Sequence, residues 1–144
     1  MMLTGRCYCG ALRYRAHSEI KARIQCCCRE CQYISGGNPN LIVVLDANGL
    51  HYKTGTPKQF TRPDLPAPVT REFCPDCGTH LLTRSPRMPG LVLVKVGTLD
   101  TPSLFGSPDV VIFTCDRQTF HHVPADVPAY ERRATPSGAA APQQ

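Results

Sequence analysis

Leu12, Tyr14 and Ala16 alternate with Arg13 and Arg15. A period of two reads as a strand with one buried face. "ARIQC" is a short extended segment that ends in a run of cysteines. "LIVVLD" (residues 41–46) is an apolar strand, and Asn48-Gly49 is a turn signal before "HYKT". "VTREFC" reads as a strand entering a second cysteine pair, and "LLTR" as the strand leaving it. "LVLVKV" (residues 91–96) and "VVIFT" (residues 110–114) complete a set of about seven short strands. Only "CRECQYI" has the look of a helical turn. The pattern predicts an all-β domain of mainly antiparallel short strands, with no strand–helix alternation to suggest a parallel sheet. We expect one domain over residues 1–131 and a disordered tail over residues 132–144, where the sequence is small and polar.

Composition sharpens this picture. The 144 residues include no Trp, five Phe and five Tyr, against fourteen Pro and eleven Gly. Few large apolar groups and many turn formers suggest a core that needs staples. The nine cysteines are the candidates. They fall into tight clusters, C-x-C, C-x-C-x-x-C and C-x-x-C, which suit metal better than long-range disulfides. The first residues lack the apolar stretch of a secretory signal, and no run reaches the length of a membrane span. The expectation is therefore a cytoplasmic protein with reduced thiols. The net charge of +5 comes from scattered basic residues, which argues for an ordinary solvated surface and against nucleic acid. Nothing in the sequence bears on oligomeric state.

The spacing of the cysteines divides them. Cys7-x-Cys9 and Cys74-x-x-Cys77 are each followed by glycine, Gly10 and Gly78. A glycine there lets the chain turn so that backbone N–H groups face sulfur. The two pairs supply four thiolates, the closed set of a structural zinc site. Cys26, Cys28 and Cys31 are three thiols that extended chain followed by a helical turn brings to one side, with Cys27 facing away. Three protein ligands and an open position are the pattern of a catalytic zinc. Two other readings stand beside this one. Cys28 and Cys31 with Cys74 and Cys77 form a single four-cysteine ribbon, or Cys26 pairs with Cys28 or Cys31 as a redox couple. Cys115, alone after a strand, reads as a small buried apolar residue.

The segments "GRCYCGALRY", "CCCRECQYISGG", "REFCPDCGTHL", "VGTLD" and "VIFTCDRQTFHHVPADVPAY" follow one another here. In that order the chain resembles the glutathione-dependent formaldehyde-activating enzymes, which share a domain with centromere protein V. The likeness runs from about Gly5 to Tyr130. It implies a β-tent fold of packed antiparallel sheets with two zinc ions. Carried over by position, Cys7, Cys9, Cys74 and Cys77 bind a structural zinc, and Cys26, Cys28 and Cys31 bind a catalytic one. The chain departs from the family pattern at Cys27, where relatives often carry His, at Phe120, where many have Trp, and at Val111, where many have His.

The resemblance implies a carbon–sulfur lyase-type enzyme of thiol–aldehyde adducts, one that joins glutathione to formaldehyde as S-hydroxymethylglutathione. Its partner is then a small thiol such as glutathione, with no membrane. Arg29 is a candidate for holding an anionic thiol, Glu30 for a general base, and His80, His121 and His122 for proton carriers; surface or structural duty is the competing reading of each. The alternative function is a non-catalytic zinc-binding interaction module.

Overall fold

The computed structural model describes residues 1–134. Residues 135–144, most of the expected tail, lie outside the described residues. The chain forms ten strands: β1 (Met2–Arg6), β2 (Arg13–His17), β3 (Ala22–Cys26), β4 (Asn40–Asp46), β5 (Leu50–Thr54), β6 (Lys58–Thr61), β7 (Thr70–Phe73), β8 (His80–Arg84), β9 (Leu91–Lys95) and β10 (Val110–Ile112). Its one α-helix among the described residues, α1, covers Arg29–Ile34. The fold is all-β and mainly antiparallel, as the alternation predicts. The described residues fall into two compact units, one of residues 1–21 and 43–105, the other of residues 22–42 and 106–134.

The first unit contains two antiparallel arrays. One is β1–β2–β5, and the other runs β4–β9–β8–β7–β6 in space. Their inner residues form a single core. Leu3, Leu12, Tyr14, Ala16 and Leu50 come from the first array, and Val43, Leu45, Leu81, Leu82, Val92 and Val94 from the second. Each large side chain taken fully from water contributes roughly 1.5–3 kcal/mol. Tyr14 is buried to its hydroxyl, which lies 2.9 Å from Thr98 Oγ1. Gly5 faces Tyr14 across the β1–β2 ladder. A Cβ on Gly5 would stand 2.2 Å from the Tyr14 hydroxyl oxygen, so only glycine fits. The Asn48-Gly49 signal is a real turn, a single 3-10 turn over Ala47–Gly49. It does not close a hairpin: β5 pairs with β2.

The second unit is built from β3, α1, the start of β4 and β10. Here lies the parallel exception to the mainly antiparallel pairing. β10 runs parallel to β3, with Val110 beside Ile24 and Ile112 beside Cys26. Two strands so far apart in sequence need no hairpin, so direction is set by packing rather than by a turn. The 128–130 segment braces β10: Val111 N–H donates to Pro128 O, and Tyr130 N–H to Val111 O, both at 2.9 Å. β10 stops at Phe113, whose φ of 57° is left-handed and ends the extended run.

Candidate metal centres

The Sγ atoms of Cys7, Cys9, Cys74 and Cys77 all lie within 4.8 Å of one another, inside the first unit. Cys7 Sγ is 3.6 Å from Cys9 Sγ, and Cys9 Sγ is 3.8 Å from Cys74 Sγ. Four sulfurs at 2.3 Å from a tetrahedral zinc stand about 3.8 Å apart, so the set fits that ion. All nine cysteines are free thiols. The Leu12 N–H donates to Cys7 Sγ at 3.2 Å, and the Thr79 hydroxyl lies 3.1 Å from Cys77 Sγ. That hydroxyl is the main cause that holds the Cys77 thiol down at about 5. Crowding has the opposite effect on Cys9, where the Ala11 backbone lowers the value but burial and three sulfur neighbours take it up to about 12. A divalent cation bound among the four sulfurs would displace their protons.

Cys26, Cys28 and Cys31 form a second cluster in the other unit, again with every Sγ within 4.8 Å of the others. Cys26 ends β3, and Cys28 caps α1, its sulfur accepting from the Cys31 N–H at 3.3 Å. One turn of helix then returns Cys31 to the same side. Asn40, itself buried, donates from Nδ2 to Cys31 Sγ at 3.5 Å. Contacts with Cys28 and Cys31, more than burial, drive the Cys26 thiol far above its ordinary range. Cys28 is pulled down by Cys26 but pushed back by Cys31 and burial, to about 11. Among the described residues no further His, Cys, Asp or Glu joins either set. The grouping sets aside the single ribbon of Cys28 and Cys31 with Cys74 and Cys77.

The profile of the glutathione-dependent formaldehyde-activating enzymes matches residues 2–116. The chain belongs to this family. A protein of Halomonas elongata, provisionally named a glutathione-dependent formaldehyde-activating enzyme, is 32% identical over 106 residues, covering 70% of this chain and 68% of its own. The crystal structure of a Rhodobacter sphaeroides protein shares the fold, with a TM-score of 0.57 at 18% identity over 67% of this chain and 87% of that one.

The remaining candidates separate cleanly. Cys27 is fully buried and lies outside the cluster, and burial raises its thiol. Cys115 corrects the expectation of a buried residue: it is exposed on the 3-10 turn Thr114–Asp116, because Phe113 has already turned the chain out of β10. His121 is structural. Its Nε2 donates to Gly37 O at 2.7 Å while Nδ1 accepts from the Gln118 N–H at 3.1 Å. His122 is exposed, and its carbonyl accepts from Gln25 Nε2 at 2.7 Å. Arg29 is exposed, with its guanidinium 4.9 Å over the Tyr33 ring and bonded to Gln32 Oε1. Glu30 is half-buried on the first turn of α1. His80 stacks on Phe73 in the first unit and is held below its ordinary value by burial.

Sequence reasoning overlooked the polar residues that hold α1 in place. Gln32 is buried and donates from Nε2 to Cys27 O and to Asp116 O, both at 2.9 Å. The Arg29 N–H donates to the Asp116 carboxylate at 3.3 Å. These are neutral or commonplace residues whose shared partner, Asp116, lies 84 or more positions away, and no local pattern betrays them. Asn40, similarly, looks like the start of a strand and nothing more.

Proposed function

We propose that the chain is a zinc enzyme that joins and separates thiols and small aldehydes, with glutathione and formaldehyde as the pair its family points to. One observation carries this reading: the two cysteine clusters are unequal. Cys7, Cys9, Cys74 and Cys77 would fill a tetrahedral zinc and serve structure. Cys26, Cys28 and Cys31 would hold a second zinc by three sulfurs and leave one position open. In the forward reaction a sulfur–carbon bond forms, the C=O double bond becomes single, and the thiol proton ends on oxygen. The product is S-hydroxymethylglutathione, and the reverse reaction is a carbon–sulfur lyase. Cys26, Cys28 and Cys31 would hold the zinc, which when bound would supply an anchor for the incoming thiol as thiolate.

The chain's own residues set the positions of the three sulfurs. The end of β3 sets Cys26, the α1 cap sets Cys28, and Asn40 orients the Cys31 sulfur with an N–H bond. Three thiolates leave the centre with a net negative charge, which favours thiol capture over polarisation of the aldehyde oxygen. Such thiols belong in a reducing compartment, in line with a cytoplasmic protein. No helix among the described residues is long and apolar enough to cross a membrane.

Metal analysis of the purified chain tests the reading. Two zinc ions per chain are expected, and Cys28→Ser should lose one while keeping the wild-type circular dichroism. Exchange between ¹³C-formaldehyde and its glutathione adduct, followed by NMR, should be faster with the wild type than with Cys28→Ser. One tightly held ion that Cys28→Ser leaves in place would sink the proposal. Two ions without faster exchange for any thiol–aldehyde pair would leave the zinc-binding interaction module.

A further inference from the structure

Basic residues are scattered along this chain but not in space. On β1, Thr4 and Arg6 point outward while Leu3 and Gly5 point inward. The ladder sets Arg6 opposite Arg13 and Thr4 opposite Arg15, and β5 continues the second row with His51. His17 stands opposite Met2 at the far end. Residues directly opposite in an antiparallel pair share one side, with Cβ atoms roughly 4.5–5.5 Å apart. At the register shift beside Arg13, β5 sets two residues, Lys53 and Thr54, against one. Arg6, Arg15, His17, His51 and Lys53 are exposed, and Arg13 is half-buried.

This outer face of β1–β2–β5 has no acid of its own, since residues 1–17 and 47–63 hold no Asp or Glu. Asp100 reaches Arg13 at 2.9 Å. Glu19 and Asp46, the acids next in sequence, are taken by the Met1 ammonium and by Lys21, both at 3.2 Å. Arg6, Arg15 and Lys53 have no ion pair among the described residues. Like charges directly opposite weaken a ladder, and Arg6 opposite Arg13 is such a pair, relieved on one side alone.

A hollow of about 390 Å³ opens at the Arg6 end of this face. Arg6, Tyr8, Thr79 and residues 97–100 line it, among them Asp100, the partner of Arg13. The Tyr8 N–H donates to Thr79 Oγ1 at 3.0 Å, which pins the backbone while the residue stays 89% exposed. Gly97 lies outside the left-handed region, and a Cβ on it would meet no atom within 4 Å. Neither its backbone nor its neighbours call for glycine, and the missing side chain keeps the hollow open.

We propose that the outer β1–β2–β5 face binds single-stranded nucleic acid, with phosphates along Arg6, Arg13, Arg15 and Lys53 and an unstacked base against Tyr8 in the hollow. Outward residues on one strand recur every 6.5 Å or about that, an interval comparable to the one between successive phosphates of an extended strand. Guanidinium forks match phosphate oxygens in pairs. A basic track beside an exposed aromatic ring is what sequence-tolerant single-strand binding needs. An acidic peptide or an anionic lipid surface would use the charge and leave the aromatic hollow idle. A duplex keeps its bases stacked inside. The proposal uses neither cysteine cluster's chemistry, and it stands or falls apart from the thiol–aldehyde reading.

The test uses the full zinc-loaded chain and the fluorescence anisotropy of short labelled oligothymidylate and oligouridylate. Saturable binding is expected with at least one of them, and weaker binding with a duplex of equal length. Added salt should weaken it with a log–log slope of about −0.7 per phosphate neutralised. Arg6→Gln combined with Arg15→Gln should make that slope shallower by about 1.4. Tyr8→Phe should keep the affinity, and Tyr8→Ala should lower it about fivefold or more at unchanged zinc content. If Tyr8→Ala loses zinc, Gly97→Leu, which fills the hollow, carries the same comparison. No binding at low salt, affinity unchanged by removing the charges or the ring, or tighter binding to poly-glutamate or phosphatidylglycerol vesicles than to either oligonucleotide overturns the proposal.

Discussion

Gly5 and Tyr14 show how little room the first unit leaves. Gly5→Ala would drive a methyl into the Tyr14 hydroxyl and the Thr98 carbonyl. It should cost about 2 kcal/mol in urea unfolding. Tyr14→Phe removes only one hydrogen bond, since Thr98 Oγ1 still donates to Lys95 O at 2.8 Å. It should cost about 1 kcal/mol. His80 gives a pH-dependent signature. Burial first, then Lys95 and Arg71, keep its imidazole neutral to lower pH than in the unfolded chain. The unfolded chain thus takes up a proton near pH 6.5 that the folded chain refuses. Stability is full above that value and falls as pH drops toward the folded value. Urea unfolding at pH 7.5 and 5.5 should show a smaller loss for His80→Gln than for the wild type.

Strands in this protein are tied by buried polar groups as well as by their ladders. The Glu72 carboxylate receives Tyr52 from β5, Gln59 from β6 and Arg84 from β8. Glu72→Ala strands those donors and should cost about 3 kcal/mol. Arg62→Ala, which breaks an exposed pair with Asp64, should cost less than about 1 kcal/mol. The strands legible in the sequence were those with one apolar face, such as β2 and β9. β1 escaped because Gly5 occupies an inward position where alternation calls for a large residue. β6 escaped because all four of its residues are exposed and no period can show. The β3–β10 pair could not be read, because a parallel partner leaves no turn to mark it. The cysteine sets were legible because ligand spacing is local within each half. Their supports, Asn40, Gln32 and Asp116, were not, since each acts through a fold that brings distant positions together.

At the scale of the whole molecule the two clusters should respond differently to metal removal. On the zinc reading, Cys7, Cys9, Cys74 and Cys77 contribute folding energy directly. Cys74 is fully buried within the apolar core, so Cys74→Ser should lose cooperative unfolding of the first unit, unlike Cys28→Ser. A chelator titration followed by zinc release and circular dichroism should give two steps, the first without loss of β signal. If both variants unfold alike, the division of roles is wrong. The second unit has a further consequence for how the protein is made. Gln32 leaves the ribosome 84 residues before Asp116, to which it bonds. At 5–20 residues per second that interval is roughly 4–17 s. For most of it Cys26, Cys28 and Cys31 exist as a nascent peptide without β10, open to whatever metal, oxidant or aldehyde the ribosome's surroundings offer first.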